Sequence, residues 1–275
     1  MEFKIKISGG SVLQGFLTSP GTGTKAFIIM VHGIGEHIMR YQHWAERFVA
    51  AGIGFRGVDL PGHGNSEGKR GHIRSYAVTD EILNILNDEC NKNFRGLPVF
   101  LYGHSLGGGI VLKYLLSQNP DIKGAVITSP WIRLAFQPSE GKIMLARIMK
   151  NIFPTMTQPT GLVVEHLSHN PEVVSMYKTD TLVHGKISVS LFCSAVSSAE
   201  YILNNVHLLR IPVLLLHGSD DKITSPEGSS ELAAKSEMIT FKIWEGGYHE
   251  LHNEPFSDKV FDFILEWIEK RISST

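Results

Sequence analysis

The chain is poor in cysteine, has no long apolar run and carries almost no excess of charge. Among its 275 residues only Cys90 and Cys193 are cysteines, which excludes a disulfide-stapled scaffold. Two reduced thiols are expected, and a single disulfide is the alternative. Apolar runs such as residues 26–31 are far too short to span a bilayer. The first residues, Met1-Glu2-Phe3-Lys4-Ile5-Lys6-Ile7, alternate as a strand does and lack the apolar block of a signal peptide. A cytoplasmic protein, at most peripheral at a membrane, is expected. The 26 Lys and Arg nearly balance the 27 Asp and Glu, for a formal net charge of −1. No basic block occurs, so nucleic acid is not an expected partner. There is no internal repeat or low-complexity segment. No set of His, Cys, Asp and Glu has metal-ligand spacing, and His63 lacks a second ligand set, so no metal is expected.

What the chain does contain is an alternation of strand and helix signals, the pattern of an α/β protein with a mostly parallel sheet. Strands are expected at residues 3–7 and 11–18, paired as a hairpin, and at 27–31, 54–59, 99–102, 124–128, 213–216 and 239–244. Helical spacing marks 41–51, 76–90 and 258–271. The alternation fails between about 131 and 208, which reads as a helical cap inserted between core strands. That divides the chain into a core of 1–130 and 209–275 and a cap of 131–208. Within the cap, residues 141–153 form a basic amphipathic pattern. Lys142, Arg147, Lys150 and Asn151 fall on one side, and Leu145, Ile148, Met149 and Ile152 on the other. Such a helix packs on the core or lines a pocket; peripheral contact with a lipid surface is the alternative.

Gly103-His104-Ser105-Leu106-Gly107 is a G-x-S-x-G motif between a strand and a helix. A sharp turn there lifts the Ser105 hydroxyl out at the end of the sheet, next to free helix N–H groups. A serine nucleophile needs a base, and the base needs an orienting acid. Both follow in chain order. His217-Gly218-Ser219-Asp220-Asp221 ends a late strand and offers Asp221 as the acid, with Asp220 as competitor. Gly246-Gly247-Tyr248-His249 follows the last strand and offers His249 as the base, with His252 three residues later as the alternative. Acyl transfer also needs donors for an oxyanion. The backbone N–H of Leu106 and that of Ile34, in His32-Gly33-Ile34-Gly35-Glu36, are the candidates. Residues 59–68 read as a tight structural loop beside the site.

These ordered motifs resemble the α/β-hydrolase fold and, more narrowly, the monoacylglycerol lipase group. The resemblance covers most of the chain and is strongest at residues 32–37, 59–68, 103–107, 217–221 and 248–252. It implies a triad of Ser105, Asp221 and His249, with oxyanion donors at Ile34 and Leu106. It also implies contacts to a glycerol moiety from Glu36, Arg40, Tyr177 and His252. The implied activity is a serine carboxylesterase that splits monoacylglycerols into fatty acid and glycerol, without a cofactor. A lysophospholipase or a broad short-chain esterase is the alternative, and a hydrolase-like receptor with little turnover the distant one. Ile34 departs from the pattern, since similar proteins often carry a smaller residue there.

Overall fold

Short apolar runs bounded by glycine and proline become strands, and longer stretches with apolar residues three and four apart become helices. The computed structural model describes residues 1–136 and 138–273; Gln137, inside the expected cap, and residues 274–275, at the end of the expected core, lie outside the described residues. In chain order come β1 (Glu2–Lys6), β2 (Val12–Thr18), β3 (Ala26–Val31), α1 (Gln42–Ala50), β4 (Ile53–Val58), α2 (Tyr76–Asn93), β5 (Val99–His104) and α3 (Leu106–Gln118). There follow β6 (Gly124–Thr128), α4 (Glu140–Ile152), β7 (Thr157–Pro159), α5 (Pro171–Thr179), β8 (Lys186–Ser188) and α6 (Val189–Asn205). The chain then completes the core with β9 (Val213–Gly218), α7 (Pro226–Ala233), β10 (Ile239–Trp244) and α8 (Ser257–Ile272).

Eight strands form one sheet in the order β1-β2-β4-β3-β5-β6-β9-β10. The β1–β2 and β2–β4 pairs are antiparallel, and the other pairs are parallel. Alternate residues of each strand enter two apolar layers. Phe27, Ile29 and Val31 join Leu101, Ile110 and Leu112 on one face. Ile28 and Met30 join Trp44, Phe48 and Trp267 on the other. Because helices cover both faces, the central strands are apolar throughout rather than alternating. Cys90 and Cys193 are both buried and unpaired. Among the described residues no helix is long and apolar enough to cross a membrane.

Between β6 and β9 the chain inserts α4, α5, α6 and a separate two-stranded sheet of β7 and β8. Here α6 departs from the expected cap ending at 208. Leu191, Ala195 and Ile202 are buried in the same apolar layer as α3. The helix α4 also differs from its expected two-sided pattern. Met144, Leu145, Ile148 and Ile152 are each more than half exposed, while Ile143, Ala146 and Met149 pack inward. Its apolar residues therefore face both ways.

The β5–α3 turn depends on two close backbone approaches. A Cβ on Gly107 would lie 2.0 Å from the Val31 carbonyl oxygen, and one on Gly103 would lie 2.5 Å from that of Gly107. Neither neighbour is a flexible side chain, so nothing gives way cheaply. Gly107→Ala is expected to destabilise the fold by about 1–3 kcal/mol. Denaturant unfolding measures this directly, and an unchanged midpoint would refute it.

Candidate active site

Ser105 sits between β5 and α3 with φ 53° and ψ −117°, a left-handed conformation that costs a non-glycine residue on the order of 1–3 kcal/mol. Hydrogen bonds hold it there. Its N–H donates to the Thr128 carbonyl at 3.0 Å, and its carbonyl accepts the Trp131 N–H at 3.0 Å and the Gly109 N–H at 3.2 Å. The side chain thus stands at the C-terminal edge of the sheet, where open α/β folds bind ligands.

Asp221 and His249 arrive from the loops after β9 and β10. His249 Nδ1 donates to Asp221 Oδ2 at 2.7 Å, which leaves Nε2 free to take a proton. Both side chains are almost wholly buried. Asp221 Oδ1 accepts the Ile223 and Thr224 N–H groups at 2.8 and 3.1 Å. Burial alone would raise the Asp221 pKa; the His249 charge and hydrogen bonds from His217 and His249 outweigh it and hold the carboxyl well below the usual range. For His249 burial acts downward, but the Asp221 charge and hydrogen bond, with Glu250 and Glu36 behind them, raise it above the ordinary histidine value. The competitor Asp220 is exposed and accepts from the Ser219 hydroxyl instead. Ser129, which the sequence did not flag, ties the loops together. Its hydroxyl donates to the His249 carbonyl at 2.8 Å, and its own carbonyl accepts from the Thr224 hydroxyl at 3.0 Å.

Beside Ser105 the loop after β3 is fixed by its own side chains. Leu60 N–H donates to His32 Nε2 at 2.9 Å, so the His32 proton sits on Nδ1 and reaches the Gly33 carbonyl at 2.8 Å. Glu36 is buried and accepts the Gly33 N–H at 2.5 Å, the Tyr41 hydroxyl at 2.9 Å and Arg40 at 2.9 Å. Arg40 also grips Glu250 with two bonds of 2.7 and 2.8 Å. Among the described residues the Ile34 N–H has no protein acceptor, and Leu106 opens α3 with the N–H that helix geometry leaves free. Both fit the donor role in an oxyanion site.

Two cavities meet at Ser105. A small one of about 10 Å³, room for one water, is lined by Ser105, His249, Ile34, Arg40, Tyr177 and Glu250, and also touches Glu36. A cleft of about 570 Å³ runs outward from Ser105 and Ile34 past Trp131, Met149, Leu162 and Phe192. Tyr177, on α5, is buried, and the Arg40 guanidinium lies 4.7 Å over its ring. His252 is placed elsewhere. Its ring stacks on Tyr41 at 4.7 Å and meets His104 edge-on at 5.1 Å, and it lines an outer groove rather than either cavity at Ser105. Burial pushes its pKa down to about 3. Among the described residues no cluster of His, Cys, Asp and Glu is arranged to hold a metal ion.

The family model described as serine aminopeptidase, S33, matches residues 22–256. The chain belongs to that family. A monoacylglycerol lipase of Mycolicibacterium smegmatis is 32% identical, over 91% of this chain and 90% of that protein. The crystal structure of the Paleococcus ferrophilus monoacylglycerol lipase superposes with a TM-score of 0.87 at 33% identity, covering 96% of this chain and 99% of that one. An uncharacterized abhydrolase domain-containing protein of Dictyostelium discoideum is 34% identical, and this chain spans only 27% of its length. This S33 member is thus an α/β hydrolase of the lipase and esterase class.

In such a hydrolase an imidazole must be neutral to accept a proton. The expected pH profile of kcat/KM therefore falls on the acid side, with a midpoint above the ordinary histidine value of 6.5. Asp221→Asn should lower kcat roughly 10^4-fold, because the amide no longer fixes the tautomer. Steady-state ester hydrolysis across pH tests both, and a midpoint below 6 would overturn the first.

Proposed function

We propose that this chain is a serine esterase acting on monoacylglycerols. The observation that carries it is that His249, held at 2.7 Å by Asp221, lines the same cavity as the strained Ser105. Ser105 attacks the ester carbonyl while His249 Nε2 takes its proton. Asp221 orients His249 and stabilises the imidazolium. The Ile34 and Leu106 N–H groups receive the oxyanion, His249 returns the proton to the leaving alcohol, and water then releases the acid from the acyl-enzyme.

The cleft supports this substrate class. Its apolar lining suits an acyl chain, and the polar side chains around Ser105 suit a hydroxyl at its inner end. Arg40 and Tyr177 line that end, and Glu36 acts mainly by holding Arg40 and the loop, because its oxygens are already engaged. His252 is left out of the proposed alcohol contacts on account of its place behind His104. The names of the M. smegmatis and P. ferrophilus relatives support the same substrate. Residues 131–188 serve in this reading as the cap.

Ser105→Ala is expected to cut turnover roughly 10^6-fold. A kinetic panel of monoacylglycerols of several chain lengths, triacylglycerols, lysophospholipids and simple esters should show monoacylglycerols with the highest kcat/KM. A clear preference for lysophospholipids would replace the substrate reading and leave the serine chemistry standing.

The outer side of α4 adds a membrane reading. Met144, Leu145, Ile148 and Ile152 are exposed on α4, and Lys142 and Lys150 lie on the same helix. This chemistry suits peripheral contact with a lipid surface. Met144→Ser with Ile148→Ser is expected to reduce co-sedimentation with anionic vesicles several-fold while leaving hydrolysis of a soluble ester unchanged. Equal sedimentation of both proteins would exclude the contact.

A further inference from the structure

Asp221 has more donors than an orienting carboxylate needs. Besides the two N–H groups on Oδ1, its Oδ2 lies 2.7 Å from His249 Nδ1 and 3.0 Å from His217 Nε2. The Thr224 hydroxyl is 2.8 Å from the same oxygen, but its single proton also has the Ser129 carbonyl at 3.0 Å. An ionised carboxylate only accepts, so the His217 nitrogen that faces it carries a proton. His217 lies near the end of β9 and is fully buried. Its other nitrogen, Nδ1, is 2.7 Å from the Ser229 hydroxyl on α7, which is also fully buried. A second imidazole is thus held on the outer side of the acid, in line from α7 to β9 to the His249 loop. His217 lines neither cavity at Ser105.

We propose that His217 is a positioning residue that shares Asp221 Oδ2 with His249 and so limits how tightly the carboxylate holds the imidazole. The inference rests on the reading of His249 as the general base. Two donors on one oxygen compete, and each draws charge density from the other. With His217 present, Asp221 stays ionised and correctly turned, and its pull on the His249 proton is divided between two donors. With the His217 donor removed, the whole of Oδ2 falls to His249.

Other groups also face His249. They are Glu250 and His252 in its own loop, Glu36 in the loop after β3, and His104 at the end of β5, its ring 4.8 Å away. Glu227 on α7 is the further carboxylate near His217. Among the described residues, His217 reaches His249 only through Asp221 and the Thr224 hydroxyl, which is 3.3 Å from both rings. A change at 217 therefore reaches the base through these two groups, Asp221 itself and a hydroxyl that also bonds Asp221.

The test compares pH profiles of kcat/KM for the full chain and for His217→Phe, His217→Gln and Ser229→Ala. His217→Phe keeps a buried ring without a donor. Its acid limb should move up by about half a pH unit, with a lower kcat and an unchanged KM. His217→Gln restores an N–H to Asp221 and should return the limb toward the parent value. Ser229→Ala frees the far side of the ring and should shift the limb in the same direction by less. A purely structural role would lower the melting temperature of all three and leave the limb in place, and coincident limbs would overturn the proposal. If His217→Phe does not fold, Ser229→Ala decides on the same criterion. Ser105→Ala, measured alongside, separates the two readings. Its inactivity with coincident limbs removes only the role of His217, whereas its full activity removes the base assignment and this inference with it.

Discussion

A serine held at φ 53° between a strand and a helix is the constraint around which the site is arranged. Left alone, that turn would relax. It persists because neighbouring strands close on it: the end of β6 accepts the Ser105 N–H, the chain after β6 donates back to its carbonyl, and glycines at 103 and 107 let the backbones touch. The proposed acyl transfer rests on this placement. The hydroxyl stands clear of the sheet, the first free amide of α3 lies beside it, and the loops after β3, β9 and β10 converge on the same edge.

The second constraint is electrostatic. Glu36, Asp221, Glu250 and Glu254 are among the carboxylates buried at or near this edge, and each buried charge costs several kcal/mol unless it is matched. Glu36 and Glu250 are matched by Arg40, and Asp221 by backbone N–H groups and two histidines. Glu254 accepts the Tyr248 N–H at 2.7 Å and lies 3.2 Å from His169 Nδ1. The cap shares in this matching. The Leu167 carbonyl accepts the Glu250 N–H at 2.8 Å, and the His184 N–H donates to the Gly35 carbonyl at 2.8 Å. The inserted segment therefore grips both the loop that carries His249 and the loop that carries Ile34. Cover and catalytic edge form one hydrogen-bonded structure.

Much of the sheet was legible because buried parallel strands leave runs such as 27–31 and 213–216 that are apolar at every position. Ser105, Asp221 and His249 stand out as candidates because the proposed chemistry demands those types after particular strands in a particular order, and the structure brings the last two to 2.7 Å. Less visible were Ser129, Thr224 and His217. A serine, a threonine and a histidine near strand ends are common, and only the meeting of β6, β9 and the last loop turns them into ties. The helix α6 falls inside the expected cap because its inner face, rich in serine and alanine beside Leu191 and Ile202, gives weak amphipathic contrast; in the structure that face packs in the same apolar layer as α3. His252 was read as a contact to the alcohol. Its distance of three residues from His249 fixes no direction for the ring, and the turn over Leu251–Asn253 sends it behind His104.

By itself the sequence determined the α/β class, the strand order of the chemistry and the identity of a serine, an acid and a histidine, since periodicity and turn residues are local properties. The choice between Asp220 and Asp221, the matching of Glu36 with Arg40 and Glu250, and the shape of the cleft were decided only by the tertiary structure. Those features depend on which loops meet and how water is excluded between them, and such contacts join residues up to 210 positions apart.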